Sequence, residues 1–101
     1  IIGVTCHNSI KLAKKASLDG ADYIALGAFY KSKTKKTIYK AHIKTLINIK
    51  KTTNLPVVAI GGINAKNYKK LLLNKADFLA ISGYIWNNEK LNPKEAITKL
   101  I

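Results

Sequence analysis

Four times along the 101 residues, a continuous apolar run of four to eight residues breaks into a small or polar loop. That recurrence limits the fold more than any other feature. The runs are IIGVTC (1–6), YIALGAFY (23–30), VVAI (57–60) and FLAI (78–81). None alternates apolar with polar, so each reads as a strand buried on both faces, which is the pattern of a parallel sheet covered by helices. Between the runs lie amphipathic stretches at helical spacing. Asn8 or Ser9 caps a first helix to about Leu18, with Ile10, Leu12, Ala13 and Ala16 on its inner face. A second, about 39–53, turns Ile43, Leu46, Ile47 and Ile49 inward. A third follows an Asn64 cap to about Leu73. The last has the clearest start, with Asn92 as cap, Pro93 in the first turn and Glu95 three residues after the cap, and runs to the end. The predicted order is β-α-β-α-β-α-β-α. Gly20-Ala21-Asp22 and Lys75-Ala76-Asp77 repeat ahead of strands two and four, so both aspartates read as helix-to-strand turn residues.

In parallel α/β folds, ligands bind where loops leave the carboxyl ends of strands. Those positions collect Thr5, Cys6, His7 and Asn8 after the first run, and Ser32, Lys33, Thr34 and Lys35 after the second. Gly61, Gly62 and Asn64 follow the third, and Ser82 and Gly83 the fourth. The stretch Lys31-Ser32-Lys33-Thr34-Lys35-Lys36 sets two hydroxyls among four lysines with no acid nearby. Hydroxyls and backbone N–H groups donate to phosphate oxygens while lysine supplies charge. Glycine lets backbone amides approach an anion closely, as GGIN and ISG require. Carboxylates are placed elsewhere: Asp19, Asp22, Asp77, Glu89 and Glu95 all avoid the strand tips, so no Mg²⁺ ligand set is legible. Cys6 and His7 are adjacent and His42 lies far off, which is no zinc spacing. Trp86, Tyr84 and Ile85 read as packing against the last helix, and His42 has no assigned role.

A formal charge of +13 suggests a nucleic-acid partner, but all 18 basic residues are lysine. Groove and phosphodiester recognition draws on the arginine fork, and these lysines spread over every helical segment. No apolar run reaches the roughly 20 residues of a membrane span, and no secretory leader is visible. A lone Cys6 excludes an internal disulfide and suits a reducing cytoplasm. The chain lacks methionine and opens on Ile1 inside a strand-like run, so part of a longer protein is expected.

Taken in order, GVTCHNS, GADYIALGAFYKSKTKK, PVVAIGGINAKN and ADFLAISGYIW resemble the carboxyl-terminal half of the thiamine-phosphate synthase family over essentially the whole chain. The resemblance implies an α/β fold, half of a (β/α)₈ TIM barrel, with residues 1–101 supplying strands five to eight and the amino-terminal half absent. It also implies a cytoplasmic reaction of thiamine biosynthesis. Hydroxymethylpyrimidine diphosphate loses its diphosphate, and the thiazole phosphate nitrogen captures the resulting pyrimidine carbocation. Catalysis of that kind is charge stabilisation of the leaving group plus orientation of the nucleophile. By the same resemblance, Thr5 stands at a serine touching the diphosphate and Ser32, Lys33 and Thr34 at a T-x-T segment. Lys35 stands at the lysine that neutralises the leaving group. Gly62 stands at a glycine whose backbone holds the thiazole phosphate, with Ser82 and Gly83 as the other half of that cup. Two departures are Lys31 in place of the proline opening the T-x-T segment and Ser32 in place of its first threonine. Serine keeps the donor, whereas losing proline costs loop rigidity. Mg²⁺ is implied too, with its aspartate ligands and most of the pyrimidine pocket in the other half. Partners would be the two small-molecule substrates, with neither nucleic acid nor membrane.

Two other readings compete. A thiazole tautomerase of the same superfamily would use a histidine at His7 as proton carrier, but the synthase branch also has one there, and the hydroxyl-x-hydroxyl-Lys run favours the synthase. A non-catalytic phosphate-binding half-barrel, either degenerate or pairing as a homo-oligomer, is the other, because four parallel strands leave apolar edges and one inner face uncovered.

Overall fold

In a computed structural model of the protein the described residues are 1–31 and 40–101. They form a four-stranded parallel sheet in the order β1-β2-β3-β4, from Gly3–His7, Tyr23–Leu26, Val57–Ile60 and Phe78–Ala80. The helices are α1 (Ile10–Leu18), α2 (Ile43–Thr52), α3 (Tyr68–Leu73), α4 (Gly83–Trp86) and α5 (Pro93–Thr98). Strands and helices therefore alternate as the sequence predicts, with a single-turn α4 added before the last helix. No helix among the described residues is long and apolar enough to cross a membrane.

The strands' period of two sorts their side chains. Cys6, Ile24, Leu26, Val57 and Ala59 are buried in one cluster with Ala13, Ala16, Leu46, Ile49, Tyr68 and Leu71 from the helices. Register fixes the other set: Thr5 pairs with Ala25, Ala25 with Val58, and Val58 with Phe78. This second face carries no helix, and Ile60 and Phe78 stay 44% and 60% exposed. The apolar runs are continuous, yet only one face of the sheet is covered among the described residues.

The feet of the strands are clasped by a repeated device. Asp22 Oδ2 accepts the Ile2 N–H at 2.7 Å, and the Asp22 N–H donates to the Ile2 carbonyl at 2.8 Å. Asp77 Oδ2 accepts the Val57 N–H at 2.8 Å, and the Asp77 N–H donates to the Val57 carbonyl at 2.9 Å. In both loops the residue two positions before the aspartate is left-handed: Gly20 has φ +95° and Lys75 φ +73°. The two aspartates are turn residues at the amino ends of their strands.

Several boundaries differ from the sequence expectation. β2 stops at Leu26 instead of Tyr30, because the Gly27 N–H turns to the His7 carbonyl while Phe29 and Tyr30 donate to Ile60 and Gly61. β1 runs through His7, which puts Thr5 and Cys6 inside the strand. α2 starts at Ile43 because Ala41 is tied back to the Ala28 carbonyl at 2.8 Å. α3 starts after Asn67 instead of Asn64, whose Oδ1 is spent on the Lys66 N–H in a tight turn, and the Asn67 side chain makes no capping bond. Ile47 and Leu12 are partly exposed, and Ile49 takes the inward place on α2. Tyr84 does reach the last helix, its hydroxyl donating to the Ala96 carbonyl at 2.9 Å, but Trp86 is 72% exposed and packs nothing there. α5 has the expected capping box between Asn92 and Glu95 and ends at Thr98, short of the terminus.

Candidate functional site

The strand tips knit into one continuous edge. The Gly27 N–H donates to the His7 carbonyl at 3.2 Å, linking β1 to β2, and the Phe29 and Tyr30 N–H groups donate to Ile60 and Gly61 at 3.1 and 3.0 Å, linking β2 to β3. Asn8 Oδ1 accepts the His42 N–H at 3.1 Å, which fastens the first tip to the start of α2. At the centre is the Gly61-Gly62 turn, with φ of +109° and +62°. A Cβ on Gly62 would stand 2.6 Å from the Lys31 carbonyl oxygen and 2.7 Å from that of Tyr30. Only glycine fits there, in conformation and in space. The exit of β2 and the glycine turn therefore lie against each other at the same end of the sheet.

The sequence-nominated residues fall as follows. Ser32, Lys33, Thr34 and Lys35, with Lys35 as nominated catalytic residue, lie outside the described residues; Lys31, which precedes them, touches Gly62. Thr5 is on β1, not in the loop after it, and is exposed on the uncovered face, paired with Ala25. It sits one inward-facing layer, about 7 Å, below the Ile60 level. Cys6 was expected at the rim and is instead fully buried on the helix side, where burial pushes its thiol pKa up and makes it inert. His7 closes β1 with φ +54°, at the point where the β1–β2 register slips. Ile60 pairs with Ala80, so Gly62 and Ser82 leave neighbouring strands at matching distance beyond that pair. Ser82 is exposed and its hydroxyl caps nothing; a Cβ on Gly83 would meet only Asn87 Nδ2 at 3.8 Å, so space is open beside it.

Sequence reasoning missed Asn67 and Tyr30. Asn67 Nδ2 donates to the Gly62 carbonyl at 3.0 Å, and its Oδ1 accepts the Asn64 N–H at 2.8 Å. The Tyr30 hydroxyl donates to the Asn67 carbonyl at 3.3 Å. The spacing Gly-Gly-x-Asn-x-x-Asn was the available signal; the sequence reading places Gly61, Gly62 and Asn64 at the strand tip and leaves Asn67 without a role.

Four of the chain's five acidic side chains are engaged in contacts of their own. Asp22 and Asp77 are at the opposite end, Asp19 pairs with Lys15 at the foot of α1, and Glu95 is held in the α5 capping box. No group of three acidic, His or Cys side chains suited to a metal exists among the described residues. The implied Mg²⁺ therefore finds no ligand set among the described residues. Among the described residues the edge offers the backbone amides of the Gly61-Gly62 turn and the exposed Ser82 hydroxyl, donor types that suit an oxyanion.

Four parallel strands alternating with helices, their exit loops gathered at the carboxyl tips, define an α/β protein. A family model described as thiamine monophosphate synthase matches residues 1–85, and the chain belongs to that family. The thiamine-phosphate synthase of Pelagibacter ubique is 71% identical over 100 residues, covering 99% of this chain and 48% of that protein. That of Nitrosomonas eutropha is 45% identical over 91 residues, covering 90% and 43%. Among solved structures, thiamine phosphate pyrophosphorylase from Pyrococcus furiosus superposes with a TM-score of 0.84 at 28% identity, over 99% of this chain and 46% of that one. The chain spans about half the length of the relatives it matches.

Proposed function

We propose that this chain is the phosphate-handling half of a thiamine-phosphate synthase, strands five to eight of a (β/α)₈ barrel. The reaction is transfer of a pyrimidine-methyl group from its diphosphate to the nitrogen of a thiazole phosphate, releasing pyrophosphate. The C–O bond to the diphosphate breaks first, and the thiazole nitrogen lone pair then forms the new C–N bond. Thr5, Ser32, Lys33 and Thr34 donate to the diphosphate, and Lys35 neutralises the charge that builds on it as it leaves. Gly62, Ser82 and Gly83 hold the thiazole phosphate and so orient the nucleophile. Magnesium, where the whole enzyme uses it, is held by carboxylates outside this chain.

One observation carries the reading: the Tyr30-Lys31 exit and the Gly61-Gly62 turn are in contact at one end of one sheet. That contact allows two phosphate groups to be served from adjacent tips. The test is a chimera in which residues 1–101 replace the matching stretch of the Pelagibacter ubique synthase. It should form thiamine phosphate from the two substrates, and Lys35→Ala should lower kcat about a hundredfold. A folded chimera with no synthase activity would overturn the assignment.

A further inference from the structure

Resting on that reading, we infer that Asn67 is a positioning residue for the thiazole phosphate, working with Tyr30 to aim two successive backbone amides. A peptide unit is planar and trans, so its C=O and N–H point opposite ways. The Tyr30 N–H holds the Gly61 carbonyl at 3.0 Å and thereby sets the direction of the Gly62 N–H. Asn67 Nδ2 holds the Gly62 carbonyl at 3.0 Å and thereby sets the direction of the Ile63 N–H. Among the described residues no hydrogen bond is given by the Gly62 or Ile63 amide, so both donors are unspent there. Consecutive amides fixed this way around a left-handed residue form a small anion-binding concavity.

Asn67 is itself fastened. Its Oδ1 takes the Asn64 N–H at 2.8 Å and its backbone carbonyl takes the Tyr30 hydroxyl at 3.3 Å, so side chain and backbone of Asn67 together bridge both sides of the loop. Buried Ile63 and Tyr68 anchor the segment on either side of it. Gly61 and Gly62 sit at positive φ with nothing in their own side chains to restrain them; the restraint comes from Asn67 and the exit of β2. A side chain acting on carbonyls rather than on the ligand changes how well the turn is shaped before substrate arrives.

The test uses the same chimera and reads each substrate separately. Asn67→Ala should raise KM for the thiazole phosphate about tenfold, the size of one lost buried hydrogen bond. KM for the pyrimidine diphosphate should change less than about twofold, on the same scale. Tyr30→Phe, which keeps the backbone bond and loses only the hydroxyl, should move the same KM in the same direction by less. Asn74→Ala serves as control: its Nδ2 donates to the Lys70 carbonyl at the far end of α3, so it should lower the melting midpoint and leave both KM values alone. Equal movement of both KM values, or a fall in melting midpoint with neither KM moved, overturns the inference. Should Asn67→Ala fail to fold, Tyr30→Phe alone decides it by the same criterion. If the parent chimera folds without synthase activity, the proposed function fails, and this inference is decided by titrating inorganic phosphate. The Gly62 and Ile63 amide resonances should then shift in the parent and stay still in Asn67→Ala. Resonances that do not move in the parent overturn it.

Discussion

Asp77 carries two duties through one oxygen, since Oδ2 accepts both the Val57 N–H and the Lys50 ammonium. Burial alone would raise its pKa; the hydrogen bonds from Lys50 and Val57, with the Lys50 charge, outweigh that and hold it below the ordinary carboxylate value. Its stabilising contribution is therefore complete above about pH 4 and fades as pH falls through the lower folded value. Asp77→Asn should flatten that acid limb in thermal melts between about pH 2 and 4. Asp77→Ala should cost about 1 kcal/mol even at neutral pH by losing the amide acceptor. An unchanged acid limb in the Asn variant would show that the carboxylate does not set it. The matching loops give a paired experiment. Lys75 holds φ +73° where the other repeat has Gly20 at +95°. Lys75→Gly should stabilise by about 0.5–1 kcal/mol, a rise of some degrees in melting midpoint. Gly20→Ala should destabilise by about the same amount, though nothing lies within 4 Å of the added Cβ, because the strain is in the backbone alone. The aspartate roles were legible from the repeated x-Ala-Asp ahead of a strand. Burial of Cys6 was not, because the adjacent Thr5 and Cys6 face opposite ways and only the strand's end point decides which one meets the ligand side.

At the scale of elements, strand identity and order were readable wherever an apolar run met a turn residue, as at Val57–Ile60, which matches residue for residue. The exit of β2 was not. GAFY is as apolar as YIAL, but its amides bond to the tips of two neighbouring strands out of ladder spacing, and no local pattern announces that. The same applies to α3, which starts only after Asn67, whose side chain is drawn to Gly62 and gives the helix no capping bond. The best-signalled helix start, α5, combines Asn92, Pro93 and Glu95, with Glu95 N–H to Asn92 Oδ1 at 2.9 Å and the reciprocal bond at 3.2 Å. Asn92→Ala should cost about 1 kcal/mol in a denaturant melt. Since Ala96 is fully buried and accepts the Tyr84 hydroxyl, loosening α5 should also expose the fluorescence of Tyr84 to quencher. A cap variant with unchanged stability would mean that α5 is held by its packing alone.

For the molecule as a whole, the open face sets behaviour. Tyr23, Ile60 and Phe78 present an apolar surface on the side opposite the helices, while the chain carries +13. At physiological salt that charge is screened beyond about 8 Å, so surface contact rather than net charge governs association. The isolated 101 residues should self-associate in analytical ultracentrifugation, more so as salt rises, and Phe78→Lys should shift them toward monomer. A salt-independent monomer would show that the face is not adhesive. The isolated chain should also release no thiamine phosphate, because no group of acidic, His or Cys side chains suited to a metal exists among the described residues; measurable turnover would contradict that. The bonds that shape the Gly61-Gly62 turn are also the stitches that join the two central strands at their upper ends. An anion bound there, as proposed above, would grip the hem of the cloth, so occupancy and cohesion would become a single quantity, and the temperature at which the protein comes apart should gauge what it is holding.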